Sequence, residues 1–447
     1  MGGLPSNRAL QKPIVFLKID IAALRLKGLP AAMMKTVAVI ASCDTKYKEA
    51  ALIRQLLESC GIRVLVVDMA IGYGRSYGAD ISREEVTSNI SVRWDDVKDR
   101  TKSELMVLVT EAVKATVEKL FAGGKIDGIM SVGGLQNTVV ATSAMRALPI
   151  GFPKVMATTI ASGKKEFGPV VGSSDIVVIP SISDFTGVNI ITNTIIANAC
   201  ACCIGMVKYA GIPLKKSDKV VVGVSLMGVT NTGACSAINE LERCGLEAIG
   251  FHATGTGGMV MEQLAEKGMI DGILDMTTHE IAAEYFGGGF SFGTKERLVK
   301  PAQLGIPMVV STGGLDFIDF AKTELPPRMD ERVYNMHNAT IAHIKILPDE
   351  AQKIGEMVAE RLNLASKGVT LLIPTNGMRK DTKPGEKLFE KEVDNTLIRA
   401  ITENVGENVK IQHVEGNLND VDWGLKAAHA MLDELKRRGK LKSDFVY

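Results

Sequence analysis

Four short loops in the first half of the chain carry residues able to hold a ligand. Ser42-Cys-Asp-Thr-Lys46 joins an apolar, β-branched run to a helical one. A helix N-terminus there favours an anion through its free N–H groups and its dipole. Lys46 would add a point charge, Thr45 a hydroxyl and Asp44 a ligand for a divalent ion; the plainer reading is a capped, solvated helix start. Ser131-Val-Gly-Gly-Leu-Gln-Asn-Thr138 also runs from a strand into a helix. Gly133 and Gly134 would let backbone amides approach a phosphate, and Thr138 would donate a hydroxyl, although a tight turn needs the same glycines. Thr158-Thr-Ile-Ala-Ser-Gly163 and Gly172-Ser-Ser-Asp175 are further small-residue loops beside strand ends, each open to a reading as turn chemistry alone. Four such loops at one sheet edge would make a site.

A second group lies past residue 250. Phe251-His-Ala-Thr-Gly-Thr-Gly-Gly258 follows a strand and opens a helix, so Gly255, Gly257 and Gly258 form a second candidate anion nest, for a substrate. It is short of the full dinucleotide fingerprint by its third glycine. Thr277-Thr-His-Glu280 ends the next strand, with Asp275 beside it. His252, His279 and Glu280 are the candidate catalytic set, as acid and base or around a metal; the alternative is histidines that only tie loops together. Residues 285–293, with Gly287-Gly-Gly289, read as a lid or as an irregular loop. Gly72-Tyr-Gly-Arg-Ser-Tyr-Gly78 reads as a mobile loop. Cys200-Ala-Cys-Cys203 sits in an apolar helical run and reads as packing.

The elements that must position these loops repeat. Leu57-Glu-Ser-Cys-Gly61 returns as Leu241-Glu-Arg-Cys-Gly245, Ile126-Asp-Gly-Ile129 as Ile270-Asp-Gly-Ile273, and Ile150-Gly-Phe-Pro153 as Leu304-Gly-Ile-Pro307. Each copy falls where a helix hands over to a strand, and the order is the same in both halves. Apolar runs at 36–42, 62–68, 128–132, 154–159 and 176–179 alternate with helical spacing. The pattern restarts at 219–226, 248–251, 272–276 and 308–311, and a tail adds strands at 369–373 and 409–414. This alternation predicts α/β architecture: two Rossmann-like domains, parallel sheets with helices on both faces, and ligands at strand carboxyl ends. The expected division is an extension at 1–33, a nucleotide-binding domain at 34–211 and a second domain at 212–447, linked near 211–218. Residues 71–103 have no counterpart in the second half and read as an inserted lobe.

Composition narrows the function classes. The 447 residues are 46% apolar and 23% charged, which suits two or three globular domains. A net charge of +1 and 5% aromatics argue against a nucleic-acid partner. Seven scattered cysteines suggest reduced thiols in a cytoplasmic protein. No apolar run looks long and charge-free enough to span a bilayer, so no membrane partner is expected.

Taken together, Asp44-Thr-Lys46, Asp80-Ile-Ser-Arg-Glu-Glu85, Thr159-Ile-Ala-Ser-Gly163, Gly172-Ser-Ser-Asp175, the His252–Gly258 string and His337-Asn338 resemble the ATP-binding region of the tomato mosaic virus resistance protein family. They are more similar still to that region's bacterial and fungal relatives. The resemblance implies ATP on the first domain, with Mg2+, and a homodimer. It places the nucleotide near Asp44, Thr45, Lys46, Gly133, Gly134, Thr138, Ser162 and Gly163, with Ser173 and Asp175 adjacent. Where the family loop usually reads Gly-Gly-Ser-Gly-Gly-Thr, this chain has Leu135, Gln136 and Asn137 in place of Ser-Gly-Gly. Leu and Gln adopt positive φ poorly, which argues against close phosphate approach there. Three functions remain open: a nucleotide-binding protein that uses ATP in catalysis, a metabolic enzyme acting on a small anionic substrate in an interdomain cleft, and a cytosolic small-molecule sensor.

Overall fold

The computed structural model describes residues 34–72, 74–161, 168–209 and 216–447. Residues 1–33, the segment at 211–215, and Ser162 and Gly163 therefore lie outside the described residues. The chain divides into two compact units, Met1–Pro213 and Leu214–Tyr447.

In the first unit the elements run β1 (Thr36–Ala41), α1 (Tyr47–Ser59), β2 (Arg63–Asp68), α2 (Arg83–Ser88), α3 (Lys102–Ala122), β3 (Gly128–Gly133), α4 (Leu135–Ala147), β4 (Lys154–Thr158), α5 (Gly168–Val171), β5 (Val177–Pro180) and α6 (Ile190–Tyr209). Every pairing is parallel, in the order β2-β1-β3-β4-β5. All six residues of β1 are buried, because helices cover both faces of a parallel sheet. One core joins α1 and α6 to the sheet through Ile53, Leu57, Ile196 and Cys203; the other joins α3 and α4 through Val109, Val113, Ala141 and Met145. Each of the Ile, Leu, Val and Met side chains among these contributes roughly 1.5–3 kcal/mol of burial. The Asp80–Glu85 string is a helix start: Ser82 and Glu85 form a capping box on α2. The apolar spacing over 185–209 predicts a helix from Phe185, but α6 begins at Ile190, because Asn189 Oδ1 accepts from the Ile191 and Thr192 N–H groups.

Helix α6 corrects one expectation. At 20 residues and a mean hydropathy of 1.8 it is long and apolar enough to cross a membrane by those measures alone. One face, with Thr192, Ile196, Ala199, Cys200, Cys203 and Val207, packs into the first unit instead.

The second unit runs β6 (Val221–Leu226), α7 (Asn231–Arg243), β7 (Glu247–His252), α8 (Thr256–Glu266), β8 (Gly272–Thr277), α9 (His279–Tyr285), α10 (Val299–Leu304), β9 (Met308–Gly313), β10 (Phe317–Ala321), β11 (Tyr334–Met336), β12 (Ile341–Lys345), α11 (Pro348–Leu362), β13 (Val369–Pro374), α12 (Lys391–Thr402), β14 (Val409–Val414) and α13 (Val421–Arg437). Its main sheet is parallel, in the order β14-β13-β9-β8-β6-β7, and β10-β12-β11 form a separate antiparallel sheet. The two units are thus α/β with parallel sheets of five and six strands. That antiparallel sheet is a feature the apolar pattern does not announce.

The repeated motifs do matching structural work. Asp127 Oδ2 accepts from the Thr36 N–H at 2.9 Å, and Asp271 Oδ2 from the Val221 N–H at 3.1 Å. Each clips the strand that follows it to the start of the first strand of its unit. These motifs lie at the amino-terminal edges of the sheets, opposite the strand carboxyl ends.

Candidate functional site

Strand order reverses at β1 in the first unit, since β2 lies on one side of it and β3 on the other. The crevice between the loops that leave β1 and β3 is therefore the topological switch point. Helices α1 and α4, each 13 residues long, begin there with Lys46 and Gly134 as N-cap residues, and neither has a side-chain cap. Their first-turn N–H groups form two positive ends at one place. The crevice encloses about 1160 Å³ and is lined by Ser42, Asp44, Thr45, Lys46, Gly134, Gln136 and Asn137 from the two loops. Its other wall comes from the inserted lobe, residues 99–102 with Leu105 and Met106 of α3, and from Asp184.

Asp44 is held from behind. A Cβ on Gly72 would stand 2.4 Å from Asp44 Oδ2, so glycine is what lets the 72–78 loop lie against this carboxylate. Arg83 donates to the Gly72 and Gly74 carbonyls, Ser76 Oγ to Asp68, and the Tyr77 N–H to the Cys43 carbonyl, which pin that loop among the described residues. Among the described residues, the buried Asp44 Oδ1 has no hydrogen-bond partner. Asp68, at the end of β2, accepts from the Cys43 and Ala70 N–H groups as well as from Ser76 and is fully buried. Burial, with Asp68 beside it, pushes the Cys43 thiol well up, so it stays protonated.

Across the crevice Ser42 Oγ donates to Asn137 Oδ1, and Asn137 Nδ2 to the Val132 carbonyl, both at 3.1 Å. Leu135, Gln136 and Asn137 are helical residues of α4; the positive φ falls on Gly133, at 151°. The departure from the family loop therefore places no strain on Leu or Gln.

The other sequence candidates fall elsewhere. Thr138 is fully buried; its hydroxyl meets the Gly134 carbonyl at 2.8 Å and Thr158 Oγ1 at 2.6 Å, tying α4 to β4. Asp175 precedes β5, at the opposite sheet edge from the crevice. It accepts from the Gly151 N–H and pairs with the fully buried Lys154 at 2.6 Å, and that cation, outweighing burial, lowers its pKa. Ser173 stands beside it in sequence. The structure does not bring Gly133, Thr138, Ser173 or Asp175 to the crevice lining.

In the second unit the corresponding switch point lies between the β6 and β8 loops. Thr230 Oγ1 and Thr277 Oγ1 meet there at 2.8 Å, and Phe317 packs on Met227 and Val229 beside them. The Gly255–Gly258 nest already holds an anion: Glu280 Oε1 accepts from the Gly255 and Gly258 N–H groups at 2.9 and 3.0 Å. Each glycine has a packing reason. A Cβ on Gly255 would meet the Phe292 ring, one on Gly257 the His252 carbonyl, and one on Gly258 the Glu280 carboxylate and Arg297. Arg297, itself buried, binds Glu280, Asp275 and Glu262 at once. Asp275 Oδ2 stands 2.7 Å from Arg297 Nη1 without hydrogen-bond alignment. With three carboxylates on one guanidinium, burial lifts Glu262 to about 7 against the pull of Arg297.

His279 is fully buried and stacked on Phe317, with centroids 4.4 Å apart. Its Nδ1 faces the Gly314 carbonyl at 2.8 Å and its Nε2 faces Asp319 at 3.3 Å. Burial alone would lower its pKa, but two acceptors on two ring nitrogens favour the imidazolium, and the pKa is raised. His252 is exposed. A cavity of about 390 Å³ runs along α8 and α10, lined by Gly255, Glu262, Glu280 and Arg297; neither histidine lines it. Residues 285–293 are pinned, with Phe290 N–H on Asp319 O, Ser291 on the Asp319 carboxylate and Phe292 N–H on Thr254 O. Sequence reasoning passed over Arg297, Glu262 and Asp319 and read Asn137 only as a departure from the family loop. In the Arg297 cluster Asp275 and Glu280 carried a signal, and Arg297 lies 17 residues beyond Glu280.

Two Rossmann-like α/β units, one with an open crevice at its switch point, define the class of protein. The chain belongs to the uncharacterised protein family UPF0261, whose N-terminal domain matches residues 35–211 and whose C-terminal domain matches residues 219–435. A UPF0261 protein of Clostridium tetani is 34% identical over 408 residues, 91% of this chain and 100% of its own length. The ToMV resistance protein Tm-1(GCR237) of Solanum lycopersicum is 35% identical over 315 residues, 68% of this chain and 41% of that protein. The family resemblance carried by the motifs is thus established. Among solved structures, Acinetobacter baumannii MurG matches 91% of this chain and 100% of its own at 13% identity, with a TM-score of only 0.20.

Proposed function

We propose that the first unit binds a nucleotide in the crevice between the β1 and β3 loops, ATP with Mg2+ being the pair that the family resemblance implies. The observation that carries this reading is the meeting, at the switch point, of two helix N-termini that no side chain caps among the described residues, with Lys46 beside them. Phosphate oxygens suit such paired donors. Leu105, Met106, Leu135 and Val139 supply an apolar wall for a base. The orphaned Asp44 oxygen fits Mg2+ shared between a carboxylate and phosphates, where the ion would offset phosphate charge. A cytoplasmic homodimer is part of the same proposal and is checked by cell fractionation and analytical ultracentrifugation.

Catalysis by His252, His279 and Glu280 is not carried into this reading, because the Glu280 carboxylate and both His279 nitrogens already have partners. Isothermal titration with ATP and magnesium tests the proposal. Lys46→Ala should weaken binding about five- to tenfold, near 1–1.4 kcal/mol, and Asp44→Asn should remove the magnesium dependence. No binding at millimolar ATP overturns it.

A further inference from the structure

The face of the β3–α4 turn behind the crevice lining is already covered by a side chain. Asn137 is 8% exposed and lies over Gly133, so that a Cβ on Gly133 would stand 2.6 Å from Asn137 Cβ and Nδ2. A glycine after a strand and before a helix is the point where backbone comes closest to a bound phosphate. Here that approach is taken by a carboxamide tied to both loops, through Ser42 Oγ and the Val132 carbonyl. A second observation points the same way. The lining carries Lys46, Arg100 and Lys102 against Asp44, Asp99 and Asp184. Three cations facing three carboxylates give little net field to reward each added phosphate.

We infer that Asn137 is a specificity-determining residue that occupies the seat of a polyphosphate chain. The site then recognises the base, the sugar and the first phosphate, and discriminates weakly among mono-, di- and triphosphates. This rests on the nucleotide reading and names which part of the nucleotide is read.

The test is titration of wild type, Asn137→Ala, Asn137→Gly and Asn137→Asp with ATP and with AMP, in magnesium and in chelator. Wild type should favour ATP over AMP by less than about tenfold. The Ala and Gly variants should raise that ratio by about tenfold or more, since they open the Gly133 face to phosphate. Asn137→Asp keeps the seat filled and adds a negative charge, so it should lower ATP affinity more than AMP affinity. If the Ala and Gly variants fail to fold, judged by circular dichroism, the wild-type ratio and the Asp variant still decide. A wild-type preference for ATP of a hundredfold, or an unchanged ratio in folded Ala and Gly variants, overturns the inference while leaving nucleotide binding intact. Absence of binding by either nucleotide to every folded protein overturns the nucleotide reading itself.

Discussion

The two switch points of this molecule sit on the same scaffold and end differently. In the first unit the loops after β1 and β3 stand around about 1160 Å³ of open crevice, with two uncapped helix starts facing it. In the second, the loops after β6 and β8 are joined by a pair of threonine hydroxyls, and Phe317 seals the place. The glycine-rich start of α8 is equally an anion nest, but its anion is Glu280 of the same unit. Strand order thus locates where a ligand can sit; whether one does depends on which donors the protein has left unfilled. The second unit uses the chemistry of a binding loop to hold itself together.

The largest effect that would separate the two units is at Arg297. Replacing it with Ala leaves three buried carboxylates without a cation, and should cost about 3–5 kcal/mol. Trp94 lies in the first unit and Trp423 in the second, so denaturation followed in Trp94→Phe and Trp423→Phe backgrounds resolves the units separately. The loss should appear on the Trp423 signal, with nucleotide affinity in the first unit unchanged. A ligand-binding loss without a stability loss would show that the Arg297 cluster is a site after all.

A pH dependence of somewhat smaller size should follow from Glu262. Its folded pKa is lifted from 4.5 to about 7, so the folded state keeps a proton that the unfolded chain releases at lower pH. That stabilisation is fully present below the unfolded pKa and is lost as pH rises through the folded one. The second unit should weaken between about pH 5 and 8 by up to about 3 kcal/mol. Glu262→Gln keeps acceptors for Arg297 and the Leu298 N–H and should flatten the slope. Equal slopes in the two proteins would place the titration elsewhere.

Two glycine substitutions sharpen the contrast further. On Gly258 a Cβ would stand 2.1 Å from Glu280 Oε2, whereas on Gly134 the nearest atom is Thr159 Oγ1 at 3.6 Å. Gly258→Ala should therefore cost about 1–3 kcal/mol, and Gly134→Ala should leave the melting temperature near wild type while narrowing the crevice and weakening ATP. The reverse ranking would mean that the first loop is the packed one.

Much of the scaffold was legible because helix and strand periods are local. The β-branched run at β1 and the capping box at Ser82 and Glu85 each state their structure within a few residues. The small antiparallel sheet was hidden because its strands bury polar groups: Asp319, His343 and Lys345 are each under 10% exposed, so their polarity masks their burial. At the site, Asp44, Thr45, Lys46 and Gly134 were legible as a loop before a helix. The 99–106 wall, Asp184 and the tie between Asn137 and Ser42 were not, because they join segments far apart in the chain, 95 residues in the case of Ser42 and Asn137. The glycines at 255, 257 and 258 were read as an open nest, since nothing local shows that a carboxylate 22 to 25 residues on already fills it.

The repeated motifs bear on the comparison from the other side. Asp127 and Asp271 occupy the same position in the two units and accept from the first strand's leading N–H, each with lysine beside it. Asn in either place keeps a carbonyl oxygen for that N–H. Asp127 gives up one partly exposed ion pair, and the buried Asp271 its pairs with Lys216 and Lys440. Asp127→Asn should therefore cost about 1 kcal/mol or less and Asp271→Asn about 1–2 kcal/mol. Asp127 lies at the amino-terminal edge of the first sheet, opposite the strand ends that form the crevice, and Asp271 belongs to the other unit, so neither should change nucleotide affinity beyond about twofold. A fall in affinity for Asp127→Asn alone would mean that the amino-terminal edge of the first sheet sets the spacing of the β1 and β3 loops. The open crevice would then depend on the part of the fold the units share, rather than on the loops by which they differ.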